Sequence, residues 1–391
     1  MRVAIVHDYL NQLGWAERVV GVLHEMFPDA PIYTLLVERD KLWPSLQDAV
    51  IIPSALQRFG FVRRHFKLFF WLFPFAIRTL DVRDFDLVIS SSSAYGKGVR
   101  LPRGDGRPVH VCYCYTPMRF AWNFDEYIRH EKGPRWMKSV ARLFVPPLRL
   151  WDVATARGVD QFIAISHAVQ DRIQSCYNRD AVIVYPPVDD AAAEVAASGM
   201  DASPCDEPYF LVVSRLVSYK RLDLAVRACA AMGARLFVIG SGPDRDRLEA
   251  LAGLAGSTVT FLGWQPEDAV HGYMRHCRAL IFPGVEDFGI TPVEVNLLGQ
   301  PVVAFAAGGA LDTIVPGVNG LFFYEPTVDA LVSVLRDALE REWDSDSVRR
   351  VGLSFVKEVF VERLRSVIEI AVARETTGSS GEKIRRGERL V

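Results

Sequence analysis

The chain alternates short apolar runs rich in Val, Ile and Phe with stretches of helical periodicity along most of its length. Runs of this kind are too short for helices and lack the polar alternation of a half-solvated strand. They read as strands buried on both faces of a parallel sheet, which helices must then cover, and the predicted fold class is α/β. In the first half the expected strands are Val3 to Val6, Ile32 to Leu36, Leu87 to Ser90, Val109 to Tyr113, Gln161 to Ile165 and Ala181 to Val184. In the second half they are Tyr209 to Val213, Arg235 to Ile239, Val259 to Leu262, Ala279 to Phe282, Val302 to Ala304 and Gly320 to Phe323. Between the halves, Pro186-Pro187-Val188 leads into a stretch of Ala, Asp, Ser and Pro without apolar periodicity, which reads as a linker. The expected division is a first domain over 1–190, a linker over 191–207, a second domain over 208–345, C-terminal helices over 346–375 and a polar, flexible tail over 376–391. Val3 to Val20 and Tyr209 to Ala228 both run strand, polar loop, amphipathic helix. Two similar doubly wound domains facing a central cleft is the simplest model, with ligands outside the carboxyl ends of the strands.

Composition narrows the function. Half of the 391 residues are apolar and 24% are charged, which suffices for two buried cores. A net charge of −2 gives no general field for nucleic acid, so a polyanion binder is disfavoured. The six cysteines are scattered, without a C-x-x-C pair or zinc spacing, and no metal or cofactor is expected. Met1-Arg2 runs directly into a strand, which reads as a cytoplasmic chain. No apolar run reaches the roughly 18 residues of a membrane span. Leu68 to Ile77 is nevertheless rich in aromatic residues and flanked by Arg63, Arg64, His65, Lys67 and Arg78. It suits either a segment lying at a lipid interface or a core helix with basic ends in water.

Two loops carry the chemistry. Phe282-Pro-Gly-Val-Glu286-Asp-Phe-Gly289-Ile-Thr291-Pro-Val-Glu294 follows a strand and opens a helix. Thr291 reads as N-cap, Pro292 as N1 and Glu294 as N3, and the free amides of such a helix end attract phosphate or sugar oxygens. The bland alternative is a capping box between Thr291 and Glu294, with Glu286 a solvated carboxylate. Ser214-Arg215-Leu-Val-Ser-Tyr-Lys220-Arg221 also ends a strand, and its cations can straddle a diphosphate or simply be solvated. Gly240-Ser-Gly242 is half of a dinucleotide fingerprint, on the wrong strand and without the third glycine, so a dehydrogenase is disfavoured. His7 and His110 lie at strand ends, where packing and ligand roles are equally open.

With these loops in this order, the chain resembles the retaining GT-B glycosyltransferases, a family marked by two glutamates separated by seven residues. Further stretches are similar to bacterial mannosyltransferases that use GDP-mannose and polyprenyl-diphosphate acceptors in exopolysaccharide and O-antigen assembly. They are His7-Asp8-Tyr9, Ala16-Glu17-Arg18-Val19, Leu87-Val-Ile-Ser-Ser-Ser-Ser93, Cys112-Tyr-Cys114, Thr116-Pro117-Met118-Arg119, Tyr185-Pro-Pro-Val-Asp189 and Gly308-Gly309-Ala310-Leu311. The resemblance implies two Rossmann-like domains, a nucleotide-diphosphate sugar, a lipid-linked saccharide acceptor and peripheral attachment to the cytoplasmic membrane. It implies that Glu294 holds the donor ribose and that Glu286 lies beside the reacting sugar. Phe288, Gly289 and Ile290 would meet sugar and phosphate oxygens, Arg215 and Lys220 the diphosphate, and Gly263 and Trp264 the base. Gly14 would bring backbone amides to the phosphate. Asp8 and Arg119 fall on the acceptor side. The departing phosphate could take the acceptor proton, so no separate base dyad is required. This sequence departs from the family pattern at Trp15, where a second glycine is usual, at Tyr115, where a histidine is usual, and at Asn123, where an aspartate is expected. Tyr115 could still hydrogen-bond a hydroxyl in that histidine's place. A homologue that binds a nucleotide sugar or lipid carrier without turnover is the alternative.

Overall fold

The computed structural model describes residues 1–102, 104, 106–124, 140–190, 204–254 and 258–387, with side chains through Glu375. The chain divides into two compact units, Met1–Pro186 with Phe360–Val391, and Pro187–Val359.

The first unit is built on strands β1 (Val3–His7), β2 (Ile32–Thr34), β3 (Ile51–Pro53), β4 (Leu87–Ser92), β5 (Val109–Cys114), β6 (Gln161–Ala164) and β7 (Ala181–Ile183). They form one parallel sheet in the order β3-β2-β1-β4-β5-β6-β7. The second unit holds β8 (Tyr209–Val213), β9 (Arg235–Ile239), β10 (Val259–Gly263), β11 (Ala279–Phe282), β12 (Val302–Phe305) and β13 (Gly320–Phe323). Its parallel sheet runs β10-β9-β8-β11-β12-β13. Each sheet winds outward from its first strand in both directions, so it has a switch point, between β1 and β4 in one unit and between β8 and β11 in the other. There the loops that follow two adjacent strands diverge and leave a crevice.

Every strand expected from the sequence is present, and β3 is an addition. Its three residues end at Pro53, whose missing N–H is tolerated because β3 lies at a sheet edge. Helices of eight or more residues are α1 (Trp15–Met26), α2 (Val145–Ala156), α3 (His167–Tyr177), α4 (Leu222–Met232), α5 (Arg245–Leu254), α6 (Glu267–His276), α7 (Ile290–Leu297), α8 (Val328–Glu340), α9 (Ser345–Gly352) and α10 (Lys357–Gly387). Opposite faces of the second sheet bury separate clusters. Phe210, Val212, Val238 and Ile281 pack with α4 and α8, whereas Tyr209, Leu211, Leu280 and Val302 pack with Val295 of α7. Central strands are therefore buried on both sides, the physical reason that they read as continuous apolar runs.

Two expectations concern the C-terminal half of the chain. Most of the expected linker, 191–203, lies outside the described residues. The expected flexible tail is helical as far as Gly387, because α10 continues through it. A helix that is already nucleated extends at little cost, and Glu382, Lys383, Arg385 and Arg386 are good helix formers. The boundary between the units falls inside α10, whose Phe360 meets the ring of Tyr113 at 5.6 Å. Leu68 to Ile77 is neither one helix nor wholly core. A 3₁₀ segment, Phe66–Leu72, is followed by the short turn Phe73–Ala76. Phe73, Ala76 and Ile77 are buried while Leu68, Trp71 and Phe75 are exposed. Among the described residues, no helix is long and apolar enough to cross a membrane.

Candidate active site

In the second unit, the loops after β8 and β11 flank the switch point, and they contain both motifs singled out in the sequence. The loop after β8 carries Arg215 and closes through a 3₁₀ turn, Ser218–Lys220, before Arg221 takes a left-handed conformation and α4 begins. The loop after β11 carries Glu286 and ends at Gly289. The two loops touch at their backbones. A Cβ on Gly284 would lie 2.9 Å from the Cα of Lys220, so only glycine allows this approach. Lys220 and Glu286 form an ion pair that is largely shielded from water. Arg215 is exposed and forms no ion pair among the described residues.

The residues expected at the diphosphate and at the reacting sugar therefore meet, and in this structure Lys220 is held by Glu286. An incoming diphosphate would compete with that carboxylate for the ammonium group. Arg215 offers a forked donor on the same loop as Lys220.

The start of α7 differs from the expectation. Gly289, with φ of +86°, is the N-cap, Ile290 is the first helical residue, and Thr291 and Pro292 follow as the second and third. Thr291 is thus not the cap, and Glu294 stands at the fifth position, too far along for a capping box. The physical reason is tertiary. Gly308 and Gly309 pack directly on this loop, where a Cβ on Gly309 would lie 2.2 Å from the Cα of Phe288, and the Gly309 amide donates to the Glu286 carbonyl at 2.8 Å. Phe288 is buried against Phe355, with ring centroids 5.7 Å apart. These contacts turn the chain one residue ahead of Ile290. Proline in the first turn costs nothing, since amides there have no intrahelical partner. The free amides of Ile290 and Thr291 remain at the helix end.

Sequence reasoning missed the clamp that fixes α7. Asn319, fully buried, donates to the Asn296 side chain and to the Thr313 carbonyl, both at 2.8 Å, and accepts from the Val315 amide at 2.6 Å. Asn296 in turn donates to the Gln300 and Asn319 carbonyls. A buried asparagine on a helix that otherwise reads as apolar was the available signal. Gly240 and Gly242, seen as half a nucleotide fingerprint, serve packing, because Cβ atoms there would lie 2.0 and 2.2 Å from the carbonyls of Ser214 and Leu216. Gly263 ends β10 at a register shift with φ of +71°, and the adjacent Trp264 is 77% exposed, so its ring is open to a ligand.

In the first unit, three expected site residues are engaged internally. The Asp8 carboxylate is buried and accepts from the Ser92 hydroxyl, the Ser93 amide and hydroxyl, and the Tyr95 and Gly96 amides, at 2.6 to 3.2 Å. It therefore fixes the loop after β4. The Tyr115 hydroxyl donates its one proton to the Ala16 carbonyl at 3.0 Å and accepts from the Ser91 hydroxyl at 2.6 Å. Burial pushes this phenol well above its ordinary pKa. Tyr115 thus ties the first turn of α1 to β4. Its ring meets Trp15 edge-on at 4.8 Å, so two of the departures from the family pattern pack on each other. Gly14 is the N-cap of α1, as expected, but Glu17 lies directly beneath it. The Glu17 Oε2 is buried without a hydrogen-bond partner and sits 2.5 Å from where a Cβ on Gly14 would be. A carboxylate there opposes a phosphate at this helix end. His7 faces Glu17 at 4.0 Å and donates from Nδ1 to the Ser91 carbonyl at 2.9 Å. Arg119 is exposed at the start of the short turn Arg119–Trp122.

Comparison with known proteins agrees with this fold. The family model described as Glycosyltransferase Family 4 matches residues 13–192, and the one described as Glycosyl transferases group 1 matches residues 200–352. The chain is 33% identical over 162 residues to the 2-deoxystreptamine N-acetyl-D-glucosaminyltransferase of Streptomyces fradiae, covering 39% of this chain and 38% of that one. It spans less than half the length of the curated relatives it matches. Among solved structures, the lipopolysaccharide outer core galactosyltransferase WaaB superposes with a TM-score of 0.65 at 19% identity, over 94% of this chain and 99% of that one. Anabaena HepE in complex with UDP superposes with a TM-score of 0.67 at 17% identity, over 94% and 100%. Both halves of the chain thus match glycosyltransferase family models, and the fold is that of solved glycosyltransferases.

Proposed function

We propose that the chain is a retaining glycosyltransferase that moves a hexose from a nucleotide-diphosphate sugar onto a lipid-linked saccharide in bacterial surface polysaccharide synthesis. The observation that carries this reading is the ion pair of Lys220 with Glu286 where the loops after β8 and β11 touch, with Arg215 on the first loop and the amide end of α7 closing the second. Fixed cations and unpaired amides there would stabilise the charge that develops on a leaving diphosphate. Glu286, released from Lys220 by that diphosphate, would face the sugar, and Glu294 on α7 would take the ribose hydroxyls. Gly263 and Trp264 would border the base. The proposed acceptor side lies in the first unit, with Arg119 exposed near its strand ends. A nucleotide-sugar partner is supported by the UDP bound to HepE. Mannose from GDP-mannose, and attachment to the cytoplasmic face of the membrane, follow from the resemblance of the sequence motifs. The exposed Leu68, Trp71 and Phe75 support the membrane part.

A second reading, binding without turnover, is favoured by one observation. The hydroxyl of Tyr115, which stands where the family has a histidine, is engaged by Ser91 and Ala16. Transfer assays with GDP-mannose, UDP-glucose and UDP-galactose and a polyprenyl-linked acceptor separate the two. Transfer of sugar supports the enzyme; tight nucleotide binding without transfer supports the second reading.

A further inference from the structure

The first unit has a concavity whose lining residues carry no role in the proposed function so far. It lies where the loop after β2, the edge strand β3 and the turn around residues 57–64 meet, and it has a volume of about 850 Å³. Its charged lining is Glu38, Arg39, Asp40, Arg63 and Arg64, and Phe61 forms part of its wall. The charges do not cancel. Glu38 is taken by Lys41 at 2.6 Å, which leaves Asp40 as the remaining carboxylate against three guanidinium groups. Arg39, Arg63 and Arg64 are exposed and form no ion pair among the described residues. The surrounding sequence adds to this imbalance: residues 49–80 contain Arg58, Arg63, Arg64, Lys67 and Arg78 and no Asp or Glu.

Three unpaired guanidinium groups around one hollow repel each other, and an anion with several oxygens relieves that repulsion while matching their forked donors. The floor of the hollow is already set. The Gln57 side chain accepts from the Val37 amide at 3.0 Å and donates to the Val37 carbonyl at 2.8 Å, clasping the loop after β2 to the turn before Gly60. A Cβ on Gly60 would meet nothing within 4 Å, so the hollow is open there. On one side it passes into apolar surface. Phe61 is 66% exposed and its ring lies 5.7 Å from that of Phe69, next to the exposed Leu68 and Trp71. A cationic hollow continuous with exposed aromatic and aliphatic side chains suits an amphiphile, with the anion inside and hydrocarbon along the rim.

The geometry points to this hollow as a binding site for the phosphate or diphosphate head of an isoprenoid-type lipid. Phe61 and its neighbours contact the first part of the chain. The inference deepens the proposed function and rests on its lipid-linked acceptor for the identity of the lipid. It differs from a general membrane patch in requiring Arg39, Arg63 and Arg64 together and in preferring an isoprenoid phosphate or diphosphate to a glycerophospholipid headgroup.

Co-sedimentation of the full chain with phosphatidylcholine vesicles doped with a polyprenyl phosphate tests it, against vesicles doped with phosphatidylglycerol at equal charge. The expected result is binding to the polyprenyl phosphate vesicles that Arg63→Gln/Arg64→Gln weakens about tenfold or more, and Arg39→Gln by a few-fold, as charge-assisted hydrogen bonds are lost. Because these side chains are exposed, unchanged melting temperatures should accompany the loss. Soluble inorganic diphosphate should compete, but only at far higher concentration than the lipid, since it lacks the hydrocarbon contact. Equal binding to phosphatidylglycerol vesicles overturns the inference, as does full binding by the double variant. Diphosphate competing as strongly as the lipid also overturns it, because the site would then serve a free phosphate. Titration with UDP and GDP in the same preparation tests the transferase reading separately. Loss of nucleotide binding alone would leave lipid binding intact.

Discussion

Replacing Glu286 with Gln should tighten the binding of a nucleoside diphosphate while abolishing sugar transfer. Lys220 and Glu286 are 13% and 27% exposed, so their ion pair is mostly shielded from water. Unit charges about 4 Å apart attract by about 4 kcal/mol at an effective dielectric of about 20. Desolvation and residual hydration reduce the net value to about 1–2 kcal/mol for a pair of this exposure. A diphosphate that takes Lys220 must overcome that attraction, and the amide of Gln removes it. The dissociation constant should therefore fall about five- to thirtyfold. Lys220→Met has the opposite sign, losing a charge-assisted hydrogen bond of about 1.5–3 kcal/mol. In the double variant the gain from Glu286→Gln should vanish, because the two side chains act on one another. Isothermal titration of the four proteins with UDP and GDP measures the cycle. Unchanged or weaker diphosphate binding by Glu286→Gln, with Lys220→Met also unchanged, would show that the diphosphate does not lie at Lys220.

Other consequences concern the frame around the site. Asn319→Ala leaves the Asn296 Oδ1, the Thr313 carbonyl and the Val315 amide without these buried partners; urea denaturation should show a loss of about 2–4 kcal/mol. Gly309→Ala has an ordinary backbone conformation but places a methyl group 2.2 Å from the Phe288 Cα. The loop carrying Glu286 must shift, so nucleotide affinity should drop about tenfold or more, with about 1–3 kcal/mol lost in the melt. Burial holds the His110 imidazole down to about 4, from its ordinary value of 6.5. Its Nε2 accepts from Ser90 and its Nδ1 donates to the Gly158 carbonyl, so the neutral ring is satisfied. Between about pH 6.5 and 4 the unfolded chain binds a proton that the native state refuses, so stability falls as pH drops through that window, by about 3 kcal/mol in all. His110→Gln should flatten this part of the stability profile measured by urea midpoints from pH 7 to 4.

The fold was legible because parallel strands buried on both faces declare themselves as apolar runs. Tyr209–Val213 and Ala279–Phe282, at the centre of the second sheet, and Gly320–Phe323, at its edge, coincide with their expected bounds. Ile51–Pro53 escaped notice because an edge strand of three residues carries too little apolar sequence. At the candidate site, the loops holding Arg215, Lys220 and Glu286 could be found from their position after strands. The start of α7 could not. Thr291-Pro292-Val-Glu294 has the local form of a capped helix start, and what moves the cap to Gly289 is the packing of Gly308 and Gly309, about twenty residues further along the chain. The network of His7, Glu17, Ser91 and Tyr115 joins β1, α1, β4 and the residue after β5. Its members are remote in sequence, and only the register of Val6 with Ser90 and of Ser91 with Tyr113 brings them together. Asp8 joins the same region from the end of the central strand, where its carboxylate faces the amides of the neighbouring loop.

The most direct test of the account is titration of the full chain with GDP, UDP and ADP, repeated with Lys220→Ala. The account predicts saturable binding of GDP, or of UDP if the base assignment fails, weakened about tenfold or more by the substitution. No binding of any of the three, or binding that Lys220→Ala leaves unchanged, would contradict a nucleotide-sugar site at the carboxyl ends of β8 and β11.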